Sequence, residues 1–182
     1  MRLLANKSDA NQIAWLKHKS TLDHVQNWQF SGRFGAKTDT EHWTGNIVWS
    51  QNADQYTINI TGPLSTASVI LEGDHDIALL HLSDETSFSA DNAQSLLQSH
   101  TGLKLPVNEL RYWLLGLPSP DNKSLNMELN KDGQLTKLLQ NDWEVTVKRY
   151  TTADNLQLPD KIFLINHEIN VRLIIQQWQI LS

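Results

Sequence analysis

Apolar residues recur at every second position through much of this 182-residue chain. In NWQFSGRFGAK, the apolar or small residues occupy positions 28, 30, 32, 34 and 36, and polar residues or glycine lie between them. The same period returns in HWTGNIVWSQ and in QYTINI. A period of two places alternate side chains on opposite faces of a β-strand, so each segment predicts a strand with one buried face. The short turns between the segments favour an antiparallel meander.

Helical spacing interrupts this pattern in three places. Residues 8–26 are predicted to form a helix with a stripe of Ile13, Leu16, Leu22 and Val25, beside Trp15. A second helix is expected from a Ser89 cap to Gly102 at C′, and a third from Pro106 at N1 to Gly116.

The order of six strands, two helices and five strands excludes a βαβ pattern. We therefore expect a mainly β fold with some α: an incomplete antiparallel β-barrel of about eleven strands, with three helices over its open side. One domain over residues 1–182 is predicted, with 1–8 as a disordered or introduced start. Three short helices do not fill the concave apolar face of so large a sheet. The rest of that face can be covered by a side-chain core, by a second sheet or by a cavity, and the sequence leaves all three open.

Composition and motifs exclude several function classes. The net charge is −5 and no run of basic residues occurs, so a nucleic-acid footprint is absent. No cysteine is present to serve as nucleophile or metal ligand, and no apolar stretch approaches the length of a transmembrane helix. No nucleophile, nucleotide or metal motif is found, and we expect Asp74-His75-Asp76 to be a solvated hairpin tip. The sequence predicts no cofactor and no metal. Two carboxylates that are far apart in sequence can still meet in space as a catalytic pair, so an enzyme stays an alternative.

Tryptophan is unusually frequent, with 7 residues against 3 Tyr and 4 Phe. Tryptophan suits apolar surfaces with a wet edge. The pattern is typical of a tryptophan-rich core or of the wall of a cavity for an apolar ligand. Trp43, Ile47 and Trp49 share one strand face and are the better candidates for a cavity wall.

A leucine stands in the turn of ITGPLSTASV, where Gly62 and Pro63 predict a change of chain direction. Leu64 either folds back onto its own sheet or projects from the turn. The residues alone favour the first interpretation, because isolated exposed leucines are common and carry little meaning.

Several segments together resemble a known family: Trp15 in the first helix, NWQFSGRFG, WTGNIVWSQ, YTINITGPLS, LKLPVNELRYWLLGLPSP, NDWEVTVKRY, Leu158-Pro159 and IIQQW. They resemble the LolB family of outer-membrane lipoprotein receptors over nearly the whole chain, from Trp15 to Trp178. The resemblance implies an incomplete barrel with a helical lid, related in fold to the periplasmic carrier LolA, and no enzymatic activity.

The resemblance also implies a function and its residues. Such proteins receive lipoprotein acyl chains from a LolA-like periplasmic carrier and insert the lipoproteins into the inner leaflet of the outer membrane. The family's exposed loop leucine falls on Leu64, so Gly62, Pro63 and Leu64 are the expected membrane-insertion loop. The candidates for the acyl cavity are Trp28, Phe30, Trp43, Ile47, Trp49, Leu110, Trp113 and Leu114. A lipid- or sugar-processing enzyme in a β-cup and a lipocalin-like small-ligand binder are the alternatives.

Family members begin with a lipidated cysteine, which this chain lacks. We expect the native form to be lipid-anchored on the periplasmic face of the outer membrane, and this cysteine-free chain to be a soluble monomer without the anchor. A natural unanchored relative is the other interpretation. Lipoproteins, the carrier and the membrane are the expected partners, and nucleic acid is not.

Overall fold

The computed structural model describes residues 7–63, 67–121 and 124–181. It contains three helices and eleven strands in one sheet. The elements are α1 (Lys7–Leu22), β1 (Asn27–Lys37), β2 (His42–Asn52), β3 (Gln55–Thr61), β4 (Ser68–Gly73), β5 (Ala78–Leu82), β6 (Ser87–Ala90), α2 (Ala93–Thr101), α3 (Val107–Trp113), β7 (Ser124–Leu129), β8 (Leu135–Gln140), β9 (Trp143–Ala153), β10 (Leu156–Ile165) and β11 (Asn170–Ile180).

The strands form an antiparallel meander in the order β6-β5-β4-β3-β2-β1-β11-β10-β9-β8-β7. Pairing of β1 with β11 joins the first and last strands at the centre of the sheet. Within the described residues, the edge strands β6 and β7 pair with no further strand, so the barrel is incomplete, as predicted. The chain passes from one edge to the other through α2 and α3.

The predicted alternation is confirmed in the central strands. Trp28, Phe30 and Phe34 of β1 are buried, whereas Arg33 and Lys37 are exposed on the other face. A bulge lies between Ser31 and Gly32. A Cβ at Gly32 would collide with the backbone carbonyl of Ile174, so glycine permits the close approach of β1 and β11.

The helices differ in detail from the prediction. Asn92, rather than Ser89, caps α2, because its side-chain oxygen accepts a hydrogen bond from Ser95 N at 2.9 Å. Gly102 ends α2 in the left-handed conformation, as expected. Pro106 is the N-cap of α3 rather than its first residue.

The buried stripe of α1 is also different, and the helix ends at Leu22 rather than near residue 26. Trp15 and Leu22, seven positions apart, face the core, whereas Ile13 and Leu16 are 68% and 58% exposed. Residues spaced by seven lie on nearly the same face of a helix. Burial of the large indole of Trp15 thus turns Ile13 and Leu16 toward solvent.

The described residues share one hydrophobic core on the inner face of the sheet. At one end of the molecule an aromatic cluster forms, with Trp28 contacting Trp49 and Trp178 at centroid distances of 5.8 and 5.5 Å. No helix of the described chain combines the length and apolar character that crossing a membrane requires.

Candidate functional site

Side chains from the sheet and the helices meet around a small internal gap of about 10 Å³, room for about one water molecule. All the residues that line the gap are apolar. They are Phe34, Ile47, Trp49, Ile58, Ile60, Val69, Leu71, Leu97, Leu105, Val107, Leu110, Val171 and Leu173. The interior is therefore dry in character and closed in this structure.

The helical side of the molecule closes the gap. Leu97 comes from α2, Leu105 from the connection to α3, and Val107 and Leu110 from α3 itself. All four are buried. A ligand larger than water can enter the interior only if these side chains move away from the sheet.

A wider cleft of about 340 Å³ opens to the surface beside this gap. Phe34, Ile60, Val69 and Leu97 line both spaces, so the cleft and the gap are adjacent and share a wall. We call this cleft the mouth; its rim is formed by residues 42–44 and 62–63 together with Ala67, Thr101 and Leu103. At the mouth, the end of α2 lies next to Gly62 and Pro63, which follow β3.

Polar contacts tie α3 to the sheet and its turns. The Trp113 indole N–H donates to Gln140 Oε1 at 2.8 Å, and Arg111 contacts Asp54 at 3.2 Å. Asn141 Nδ2 donates to Glu109 Oε1 at 3.1 Å. These contacts hold α3 against β8 and against the turns after β2 and β8.

An ion pair ties the connection between α2 and α3 to the mouth end of the sheet. Lys104 Nζ lies 2.9 Å from Glu168 Oε2 in the turn between β10 and β11. The hydrogen bond and charge of Lys104 lower the pKa of Glu168. Because both groups are partly exposed, the contact is weaker than the buried bond of Trp113.

The predicted cavity residues fall into several environments. Ile47, Trp49 and Leu110 line the internal gap, and Trp43 lines the mouth. Trp28 lines a separate cleft of about 260 Å³ at the opposite end. The remaining three, Phe30, Trp113 and Leu114, are buried and line neither the gap nor the mouth.

The described part of the predicted insertion loop is at the mouth. Gly62 and Pro63 lie on its rim. Gly62 N donates to Ala67 O at 2.8 Å, so the two ends of the loop lie together. Leu64 lies outside the described residues, and its role as the inserting side chain stays a prediction.

Sequence reasoning missed several residues around the gap. Phe34, Ile58, Ile60, Val171 and Leu173 carry the same period-two signal that identified Ile47 and Trp49. That signal was sufficient to find them. Leu97, Leu105 and Val107 belong to the helical side, and only the tertiary packing shows that they face the sheet.

Among the described residues, the ionisable side chains lie away from the gap. No Asp, Glu or His among the described residues lines the gap. Asp74, His75 and Asp76 form an exposed hairpin tip, as predicted. Asp74 Oδ1 accepts hydrogen bonds from the backbone N–H groups of Asp76 and Ile77, which lower the pKa of Asp74. This geometry is that of a capped turn.

An unclosed antiparallel sheet with helices packed over an apolar interior defines a half-barrel of the LolA type. A LolA superfamily protein from Nitrosomonas europaea shares this fold with a TM-score of 0.62, 7% identity and coverage of 94% of each chain. A putative outer membrane lipoprotein-sorting protein domain from Vibrio parahaemolyticus has a TM-score of 0.56 at 11% identity, covering 97% of this chain and 94% of that one.

The sequence comparisons narrow this class. Residues 26–178 match the profile of the family described as outer membrane lipoprotein LolB. The outer-membrane lipoprotein LolB of Nitrosococcus oceani is 36% identical over 93% of this chain and 84% of its own length. That of Pseudomonas aeruginosa is 31% identical over 97% of this chain and 84% of its own length. The chain belongs to the LolB family.

Proposed function

We propose that this protein takes up the acyl chains of lipoproteins from a LolA-like periplasmic carrier and inserts the lipoproteins into the inner leaflet of the outer membrane. The observation that carries the proposal is an internal gap lined only by apolar side chains, beside a mouth that opens to the surface. The names of the relatives, outer-membrane lipoproteins, support the same location. In its native form the chain is held at that membrane by a lipid.

Such a protein is needed because exposing the acyl chains of a lipoprotein to water costs a large free energy. Burial of a methylene contributes about 0.8 kcal/mol, so three acyl chains with roughly 45 methylenes would cost on the order of 35 kcal/mol to expose. Since the described chain has no nucleotide motif, transfer runs downhill in affinity from carrier to receptor to bilayer. Docking of the carrier against the mouth keeps the chains out of water.

The structure favours this proposal over an enzyme in the same cup. A hydrolase acting on lipid or sugar needs acid and base groups at the reacting centre. The described residues around the gap supply none, and the buried polar residues Gln51, Ser119 and Gln140 have no acid–base chemistry at neutral pH. A lipocalin-like small-ligand binder would have the same apolar interior but a different ligand and no carrier. The experiment below distinguishes this alternative from the proposed function.

The test is transfer of a fluorescent triacylated lipoprotein from its carrier to this protein in solution. Val69 lines both the gap and the mouth, and Val48 lies on the outer face of the sheet with 38% exposure. Val69→Lys is expected to reduce the amount transferred at least tenfold, and Val48→Lys to leave it unchanged. Binding of a small apolar dye with no lipoprotein uptake by the wild type would instead support the lipocalin-like alternative.

Leu64 is proposed as the side chain that enters the bilayer. A leucine that projects from the turn loses no core contact when it is replaced, so Leu64→Glu is expected to leave the melting temperature within the range of surface substitutions. The charged side chain opposes entry into lipid. The variant is therefore expected to accept lipoprotein from the carrier but not to release it to liposomes.

Leu64→Met is the matched control for this variant, because it keeps an apolar side chain of similar volume. It is expected to deliver lipoprotein to liposomes as the wild type does. A large loss of stability in Leu64→Glu would show that Leu64 packs on the sheet, and normal delivery would show that the loop does not insert.

A further inference from the structure

A further cleft, of about 370 Å³, lies on the outer face of the sheet near Gly62 and Pro63, after the end of β3. Arg33 of β1 and Arg172 of β11 line it, together with Gly62 and Pro63. We call this space the arginine cleft. It shares Gly62 and Pro63 with the mouth but lies on the opposite, outward face.

The strand register brings four polar side chains around the arginine cleft. Arg172 pairs with Gly35, which pairs with Thr44 in β2. Arg33, two residues before Gly35 on the same face of β1, pairs with Asn46 of β2. Arg33 and Arg172 are therefore diagonal neighbours on one face, with backbones about 7–8 Å apart.

The two guanidinium groups have no acidic partner in the described chain. Within residues 7–63, 67–121 and 124–181, neither arginine forms an ion pair, and no carboxylate lines the cleft. The side chains of Thr44 and Asn46 likewise make no hydrogen bond to a described residue. Two like charges on adjacent strands oppose each other unless an anion lies between them.

Gly35 forms an open floor between Arg172 and Thr44. A Cβ built at Gly35 would meet only the carbonyl of Trp43, at 3.9 Å, so backbone packing does not require glycine here. Glycine in a strand interior weakens the strand. The absence of a side chain leaves the donors on either side free to converge on a ligand.

We propose that the arginine cleft binds the phosphate of a phospholipid headgroup in the acceptor membrane. Arginine presents a planar fork of donors that matches phosphate oxygens, and Thr44 and Asn46 add neutral donors. The cleft lies at the base of the proposed insertion loop, where headgroups would surround a side chain that enters the bilayer. Free phosphate offers the same oxygens, but the apolar Ile174 and Pro63 beside the arginines fit the acyl–headgroup boundary better.

This inference rests on the proposed function for its membrane, but its test does not need lipoprotein. Binding of the protein to vesicles of phosphatidylethanolamine and phosphatidylglycerol is compared with binding to vesicles of digalactosyldiacylglycerol, which are neutral and carry no phosphate. Arg33→Gln/Arg172→Gln is expected to weaken binding to the phospholipid vesicles at least tenfold, and to leave binding to the galactolipid unchanged.

The control variant Lys17→Gln/Lys131→Gln removes the same charge from exposed sites on α1 and on the turn between β7 and β8. It is expected to bind phospholipid vesicles nearly as the wild type does. Equal losses in both double variants would show a general charge effect and overturn the site. Binding of inorganic phosphate that is lost in Arg33→Gln/Arg172→Gln, with vesicle binding equal in the wild type and this variant, would assign the cleft to free phosphate and overturn the headgroup assignment.

Gly35→Val offers an independent variant with a different expected effect on stability. The space above Gly35 accepts a side chain, and valine favours a strand, so the melting temperature is expected to stay or rise. The valine fills the floor and is expected to weaken phospholipid binding several-fold. Unchanged binding in this stable variant would exclude a ligand between the arginines.

A failure of this proposal is distinguishable from a failure of the proposed function. The arginine variants keep the interior and the mouth, and so are expected to take lipoprotein from the carrier in solution. If the wild type itself takes up no lipoprotein, the proposed function fails while the vesicle comparison still tests the arginine cleft.

Discussion

The side chain of Gln140 satisfies several polar groups of the core. Its Oε1 accepts hydrogen bonds from the Trp113 indole at 2.8 Å and from Ser119 N at 2.9 Å, and its Nε2 donates to Ser119 O at 2.9 Å. Gln140 is fully buried. One amide therefore links α3, the loop that follows it and β8.

Removal of the Gln140 amide should leave buried donors without an acceptor. Each such group costs about 1–3 kcal/mol, so we expect Gln140→Leu to lower the free energy of unfolding by about 2–4 kcal/mol. Gln176→Leu, at an exposed position of β11, is the matched control and should change it by less than about 0.5 kcal/mol. Urea unfolding measures both, and equal values would show that the amide does not support the core.

Burial of His18 is expected to make the stability of the protein depend on pH. Its ring packs edge-on against Tyr150 with centroids 6.2 Å apart, and its Nε2 is buried without a partner among the described residues. Burial lowers the pKa of His18 below its ordinary 6.5. The unfolded chain thus binds this proton more readily than the folded one.

We therefore expect the free energy of unfolding to fall as pH drops from 6.5 through the lower folded-state pKa of His18. In His18→Phe this part of the pH dependence should disappear, and in His167→Gln, at an exposed turn, it should remain. Urea midpoints measured at neutral and at mildly acidic pH test this. A slope that survives in His18→Phe would assign it to another group.

At the scale of elements, α2 and α3 are held differently. α3 is tied by Trp113, Arg111 and Glu109, whereas α2 packs on β4, β5 and β6, toward one edge of the sheet. The connection after α2 has the ion pair of Lys104 with Glu168 at the mouth. We infer that α2 and this connection move first when the interior opens.

Breaking the mouth ion pair should therefore speed entry without weakening the fold. Lys104→Gln is expected to increase the rate of uptake of an apolar fluorescent probe several-fold, with a melting temperature close to that of the wild type because exposed ion pairs contribute about 0–1 kcal/mol. Acidification through the lowered pKa of Glu168 should act in the same direction. Lys19→Gln breaks a comparable exposed pair in α1 and should leave uptake unchanged; an equal acceleration there would remove the mouth pair from the mechanism.

The strands were predictable and the helical side was not, for a physical reason. A strand with one buried face carries its orientation in its own alternation, so Ile47, Trp49 and the outward Arg33 follow from the sequence. The face that a short helix buries depends on its partners. The spacing of Ile13 and Leu16 predicts core positions, yet both side chains are exposed. Leu105 belongs to the connection between α2 and α3, yet its side chain helps to close the gap.

At the scale of the whole molecule, two surfaces with different chemistry meet at the turn between β3 and β4. The mouth lies beside an apolar interior, and the arginine cleft faces outward with two unpaired cations in a chain of net charge −5. If the mouth and interior hold acyl chains and the arginine cleft holds headgroups, uptake of acyl chains depends on apolar burial and binding to the membrane depends on ionic attraction.

Salt should separate these two steps. Ionic attraction between the arginine cleft and phospholipid is screened within about 10 Å at 0.1 M salt and about 3 Å at 1 M, whereas apolar burial is not screened. We therefore expect vesicle binding to weaken steadily as sodium chloride rises over this range, and uptake of an acyl ligand in solution to stay constant. Vesicle flotation and ligand fluorescence, measured in the same salt series, test the two steps. Arg33→Gln/Arg172→Gln should show a shallower salt dependence of vesicle binding than the wild type, and an unchanged slope in this variant would show that the attraction arises elsewhere on the molecule.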